Sequence, residues 1–150
     1  MAKILVIGAA GQIGSELTMA LRRRYGNDNV VAGMHSKRPR EELLRSGPHV
    51  SCDCLDVRQL RAIVQVCRIE RIYHLAAILS AAGEANPHLA WDVNMNGLYN
   101  VLEVARQRGC SVFAPSSIAA FGPSTPADNT PQDTIQRPNT MYGLTNVWSY

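Results

Sequence analysis

Gly8-Ala9-Ala10-Gly11-Gln12-Ile13-Gly14 follows directly on an almost wholly apolar run, Lys3-Ile4-Leu5-Val6-Ile7, and leads into a helical pattern that begins at Gln12. No other feature constrains the fold as strongly. An apolar run of this kind reads as a strand covered on both faces, as in a parallel sheet. Glycines between such a strand and a helix let the chain turn sharply, let the helix pack close to the strand, and let a pyrophosphate approach the main chain. The free N–H groups and positive dipole end of the helix favour that anion. The spacing is G-x-x-G-x-x-G rather than G-x-G-x-x-G, so the strand–loop–helix setting carries the inference. A tight turn with no ligand is the competing reading.

Beyond the loop the chain alternates short β-rich runs with longer helical ones. A helix is expected from Gln12 to about Tyr25, ended by Gly26-Asn27-Asp28, then a strand over Asn29–Ala32. A short helical turn over Arg40–Arg45 is stopped by Ser46-Gly47-Pro48. A third strand covers His49–Cys54, and a helix follows over Val57–Cys67 with Leu60, Ile63, Val64 and Cys67 on one face. A fourth strand is read at Arg71–Leu75, a long helical region at Glu84–Arg108 capped by Gly109, and a fifth strand at Ser111–Pro115. After Ser117 the texture changes. Pro123, Pro126, Pro131 and Pro138 punctuate a long polar loop, of a length that in compact domains is usually functional or disordered. A last helix starts near Met141 and runs toward Tyr150. Strand–helix alternation predicts an α/β fold: a doubly wound, Rossmann-like parallel sheet of about five strands with flanking helices.

Composition excludes other classes. At 46% hydrophobic and 18% charged residues, the chain is neither disordered nor of low complexity. No apolar run approaches the roughly 18 residues a membrane span needs. The opening MAKILVIG goes straight into the first strand, which predicts a cytoplasmic protein. A net charge of +3 is too mild to predict nucleic-acid binding, and Arg22-Arg23-Arg24 reads as a solvated helix face. Cys52, Cys54, Cys67 and Cys110 lack zinc-type spacing, so no metal is expected. Cys52 and Cys54 alternate on the third strand and read as buried, reduced thiols.

The loop is similar to that of the extended short-chain dehydrogenase/reductase superfamily, the NAD-dependent epimerase/dehydratase group. Further stretches carry the same resemblance: His74-Leu75-Ala76-Ala77, Asn94-Met95-Asn96-Gly97, Ser116-Ser117 with Phe121-Gly122, and Tyr142 at a typical separation from Ser117. Ala77-Ile78-Leu79-Ser80-Ala81, Ala90–Gly97, Pro115–Ile118 and Arg137–Gly143 resemble, more narrowly, the short-chain type L-threonine 3-dehydrogenases.

The resemblance implies NAD as cofactor, held by Gly8, Gly11, Gln12, Ile13, Gly14, Met34, His35, Asp56, Val57, Leu75, Ala76, Ala77, Asn94, Ser116 and Tyr142. Asp56 also reads as an N-cap for the helix behind it. Relatives carry Asp at the position of Met34, where an acid accepts the ribose hydroxyls. The following Lys37 and Arg38 leave NADP open, against the plainer reading of a solvated charged loop. Tyr142 is the expected base and Ser117 its hydrogen-bond partner. Ser80, Ser117 and Tyr142 are the expected substrate contacts, with Ser80 alternatively a helix-capping serine. His74 reads as a packed core histidine. Trp91, Tyr99 and Leu102 read as core or subunit interface, because in this superfamily these helices pair two subunits; a homodimer is expected for the full-length protein.

Free tyrosine titrates near 10, so only about 0.1% is phenolate at neutral pH. The family favours that phenolate with a lysine one helical turn on, and position 146 here is Asn; no lysine follows Lys37. Losing a cation worth about two pK units costs about 2.7 kcal/mol, or a hundredfold in rate. An impaired base is therefore expected. A complete dinucleotide fold has about six strands. The expectation is accordingly a Rossmann domain over residues 1–150, truncated within the catalytic helix and without its C-terminal substrate domain. Three functions compete: oxidation of L-threonine to 2-amino-3-ketobutyrate, nucleotide-sugar epimerisation or dehydration, and non-catalytic dinucleotide binding.

Overall fold

The computed structural model describes residues 2–148. In chain order it contains β1 (Lys3–Ile7), α1 (Gln12–Tyr25), β2 (Val30–Met34), α2 (Glu41–Arg45), β3 (His49–Ser51), α3 (Val57–Val66) and β4 (Ile69–His74). There follow α4 (Ser80–Ala85), α5 (Pro87–Trp91), α6 (Gly97–Arg108), β5 (Ser111–Phe113) and α7 (Met141–Val147). The strands pair in parallel in the order β3-β2-β1-β4-β5. This is the expected doubly wound sheet. Strand order reverses at β1 and β4, so the crevice outside their C-terminal ends is the natural ligand site of the fold.

The chain divides into two compact units. The first takes the residues up to Ala76 together with Tyr99–Pro115; the second takes Ala77–Leu98 with the residues from Ser116 onward. The sheet belongs wholly to the first. Its centre is β1, where Ile4, Leu5, Val6 and Ile7 are fully buried, with Val30 and Ala32 of β2 and Ile72 of β4 beside them. Helix α3 turns Leu60, Ile63 and Val64 inward, at the helical spacing the sequence shows. Helix α1 presents Gly14, Ser15, Thr18, Leu21 and Arg22 as its buried face. The small residues let it lie close to the strands, and Thr18 Oγ1 donates to the Gly14 carbonyl at 2.7 Å.

Arg22 corrects the sequence reading. It is 1% exposed. Its guanidinium donates to the carbonyls of Val30, Leu43 and Pro48 and to Ser46 Oγ, at 2.6–3.2 Å. One side chain thereby ties α1 to the start of β2, the end of α2 and the turn before β3. Burial pushes its pKa down. Consecutive helical residues point about 100° apart, so three arginines in a row cannot share one environment; Arg23 and Arg24 keep the solvated reading.

Element ends also shift. Asn29 belongs to a 3₁₀ turn, Asn27–Asn29, and β2 runs on to Met34 because it has a partner on each side. Strand β3 stops at Ser51: Cys52 N–H still donates to the Met34 carbonyl, and Asp53 N–H then turns away to Gln59 Oε1 at 2.7 Å. Cys52 and Cys54 thus lie beyond the strand, yet both are buried. Burial pushes their thiols up to about 12 and about 11. The helical region begins at Ser80 and not Glu84, is broken where Asn86 caps α5, and contains a π turn over Asp92–Asn96. Gly109, at φ +68°, ends α6 as expected. Among the described residues β5 pairs with β4 alone and is an edge. The final helix ends at Val147; the part of the expected helix at Ser149 and Tyr150 lies outside the described residues.

Candidate functional site

The first unit holds the glycine loop. Gly8 sits at φ +86°, in the region that L side chains avoid, and a Cβ there would lie 2.8 Å from Ala76 N and 2.9 Å from Leu75 C. A Cβ at Gly14 would collide with the Gly8 carbonyl oxygen and come within 2.9 Å of Ala9 Cα. The loop is braced from behind: Gly8 N–H and Ala9 N–H both donate to the Gly33 carbonyl at 3.0 Å, and Gly11 N–H donates to the Gly8 carbonyl at 2.9 Å. Gly11 is the N-cap of α1 and, having no side chain, caps nothing. The amide N–H groups of Gln12, Ile13 and Gly14 precede the first residue with an intrahelical acceptor, Ser15, which donates to Gly11. Among the described residues these are free donors at the positive end of a 14-residue helix, with no acidic residue in its first turn. The cradle fits a diphosphate. The nearby Ile13 side chain is 70% exposed.

The other cofactor candidates of this unit lie on the same sheet edge or close to it. Leu75 N–H donates to the Ile7 carbonyl, extending β4 so that Leu75-Ala76 passes beside Gly8. Met34 is half-buried at the end of β2, and His35, Lys37 and Arg38 beyond it are exposed. Asp56 is the N-cap of α3, accepting from Gln59 N–H at 3.0 Å, with Val57 the first helical residue. His74 is buried, Nδ1 has no hydrogen-bond partner among the described residues, and burial pushes its imidazole down to about 4. Asp53 is a group the sequence reading missed. Its Oδ2 lies 3.7 Å from His35 Nε2. Reading β3 through to Cys54 had treated it as an ordinary strand residue.

The second unit holds the candidate reaction residues. Ser117 is half-buried and caps the 3₁₀ turn Ile118–Ala120, its Oγ accepting from Ala119 N–H at 3.2 Å. Tyr142 is half-buried in the first turn of α7. The two segments are pressed together: a Cβ on Gly143 would collide with the Ala119 carbonyl oxygen and lie 2.6 Å from Pro138 Cβ. Thr140 caps α7 by accepting from Gly143 N–H at 3.0 Å, and Glu84 of α4 accepts from Met141 N–H at 2.5 Å. Gly122 closes the base of the polar loop, its α-carbon facing the Arg137 carbonyl too closely for any side chain.

Asn94 is buried in the π turn and uses its whole amide. Oδ1 accepts from Ile78 N–H at 2.8 Å, and Nδ2 donates to the Ile78 carbonyl at 3.0 Å and to Thr145 Oγ1 at 3.1 Å. It fastens the segment after Ala77 to α7, and Nδ2 keeps no hydrogen for a ligand. Asn146 is also buried, and Nδ2 donates to the Tyr142 carbonyl at 2.8 Å. Its amide folds back on the helix, and α7 carries no charged side chain. Ser80 is the first residue of α4, with Leu79 as the N-cap, so it is not the capping serine. Ser116 and Ala77 are exposed. Trp91, Tyr99 and Leu102 are 40–67% exposed, which excludes the core reading for them. Among the described residues no cluster of side chains could hold a metal ion, and no helix is long and apolar enough to cross a membrane.

The chain is similar to known proteins over nearly its whole length. An uncharacterized epimerase/dehydratase of Staphylococcus saprophyticus is 49% identical over 147 residues, covering 98% of this chain and 46% of its own length. The crystal structure of an L-threonine dehydrogenase from Clostridium difficile superposes with a TM-score of 0.91 at 50% identity, over 99% of this chain and 46% of that one. A UDP-glucose 4-epimerase of Thermotoga maritima superposes with a TM-score of 0.88 at 26% identity, over 98% and 48% of the two chains. The chain therefore spans about half the length of the relatives it matches. The model of the NAD dependent epimerase/dehydratase family matches residues 4–149, and the chain belongs to that family.

Proposed function

We propose that the chain binds NAD and that its activity is the oxidation of L-threonine to 2-amino-3-ketobutyrate. The observation that carries the first half is the glycine cradle: a left-handed Gly8, a Gly14 with no room for a Cβ, and unsatisfied amides at Gln12, Ile13 and Gly14. The likeness to an L-threonine dehydrogenase at 50% identity supports the second half. Bound NAD would supply the hydride acceptor. Gly8, Gly11, Gln12, Ile13 and Gly14 would hold its diphosphate, with Met34, His35, Asp56, Val57, Leu75, Ala76, Ala77 and Ser116 along its length. Ser117 would orient the substrate hydroxyl, Tyr142 would take its proton, and Ser80 would meet the amino acid.

Asn146 sets the expected rate. Where a lysine would place a cation one turn from Tyr142, this helix offers an amide already engaged by the Tyr142 carbonyl. That observation also favours a second reading, non-catalytic dinucleotide binding. Calorimetric titration of the chain with NAD tests the cradle, with Gly14→Val as the variant that should abolish binding. NADH release with L-threonine, beside conversion of UDP-glucose, tests the reaction. Asn146→Lys should raise threonine turnover by about a hundredfold if Tyr142 is the base, and leave it at zero if the chain only binds. Exposed Trp91, Tyr99 and Leu102 support a homodimer for the full-length protein, which light scattering would check.

A further inference from the structure

We propose that Asp53, reaching across from the end of β3, reads the adenosine ribose in place of Met34, and that it selects a coenzyme with a free 2′-hydroxyl over one with a 2′-phosphate. This rests on the dinucleotide reading above and adds a specificity-determining residue to it.

Strands β2 and β3 pair in parallel up to Met34 and Ser51, and Cys52 N–H then donates to the Met34 carbonyl at 2.7 Å. The chain beyond β3 therefore still runs beside the end of β2, and Asp53 comes next. Its position is fixed from two sides, by its N–H donating to Gln59 Oε1 at 2.7 Å and by Oδ1 accepting from Leu55 N–H at 2.9 Å. Oδ2 takes no hydrogen bond among the described residues. It faces His35 Nε2 at 3.7 Å, and the two side chains are 36% and 64% exposed. Gly33, one residue before Met34, carries the carbonyl that braces Gly8 and Ala9. The phosphate cradle and the Asp53 carboxylate thus share one sheet edge, where a strand-two acid meets the ribose in this fold.

A carboxylate oxygen accepts a hydrogen bond from a 2′-hydroxyl. Toward a 2′-phosphate it offers only like-charge repulsion. Asp56, three residues on, spends Oδ1 on the α3 cap, and Lys37 and Arg38 after β2 are exposed and basic. Without Asp53 the edge would favour the phosphate. The acid just beyond β3 therefore decides the sign of the selectivity, with Oδ2 lying 3.7 Å from His35 Nε2 at the end of β2.

Titrating NAD and NADP separately into the wild-type chain and D53N by calorimetry tests this. D53N keeps an Oδ1 acceptor for Leu55 N–H, and D53S keeps an Oγ acceptor should D53N not fold. The wild type should prefer NAD, and either variant should move the affinity ratio toward NADP by about tenfold. A Lys37→Ala, Arg38→Ala double variant should move it the opposite way. Variants that bind both nucleotides with an unchanged ratio, or a wild type that prefers NADP, overturn the role of Asp53 and leave the cradle standing. A wild type that binds neither overturns the dinucleotide reading itself.

Discussion

Gly8 and Asn146 are the single positions on which the proposed binding and chemistry depend most. The glycine is fixed by backbone geometry, so its role follows from the strand–loop–helix order alone. Replacing it with Ala forces a methyl against Ala76 N at a φ of +86°. Gly8→Ala should cost about 2 kcal/mol in urea denaturation and abolish NAD binding by calorimetry. A variant that binds like the wild type would show that the loop is only a turn. At Asn146 the sequence gives the missing cation, but not that the amide turns back to the Tyr142 carbonyl. Asp53 was hidden for a related reason. An alternating pattern from His49 to Cys54 cannot announce where an edge strand stops, because the Gln59 side chain ends it from six residues away. Arg22 was recoverable: Gly14, Thr18 and Arg22 recur at the four-residue spacing of one helix face, and the run of three arginines masked it.

Among the elements, α1 and α7 are each held in place by one buried polar side chain. Arg22 gives α1 five hydrogen bonds to three neighbouring segments, and the chain needs Gly47 beside it, since a Cβ there would lie 2.8 Å from Nε. Arg22→Met would remove all five bonds, leaving the Pro48 carbonyl with only Ala32 N–H and the Leu43 carbonyl with only Ser46 Oγ as donors. That should cost about 3 kcal/mol or more, read from the urea midpoint at constant slope. A loss below about 1 kcal/mol would mean that water replaces the guanidinium. Asn94 does the corresponding work in the second unit by clamping Ile78 and Thr145. The π turn that holds it is a one-residue irregularity of the kind often found at functional sites, and helical periodicity does not reveal it. Asn94→Leu should speed hydrogen exchange at the Ile78 and α7 amides by about tenfold, while the β1 amides stay protected.

For the molecule as a whole, the decisive buried group is His74, at the end of β4 and inside the unit that contains the entire sheet. Burial pushes its imidazole down to about 4 from an ordinary 6.5. The unfolded chain takes up this proton near 6.5 and the folded chain only near 4, so between those values the unfolded state binds more protons. Stability is therefore at its full value above about 6.5 and falls as the pH drops toward 4, by about 3 kcal/mol in all. Glu103 works in a separate window. Hydrogen bonds from Arg106 and Gln107 hold its carboxyl down near 2, so its contribution is present above an ordinary 4.5 and lost below it. Urea midpoints measured from pH 8 to about pH 4.5 should thus follow His74. His74→Phe keeps a ring in the space, removes the unpaired Nδ1 and cannot titrate. Its midpoints should stay level across that range where the wild type declines. Parallel curves for the two proteins would mean that the imidazole gains its proton while folded, and that the end of β4 opens to water without unfolding the sheet.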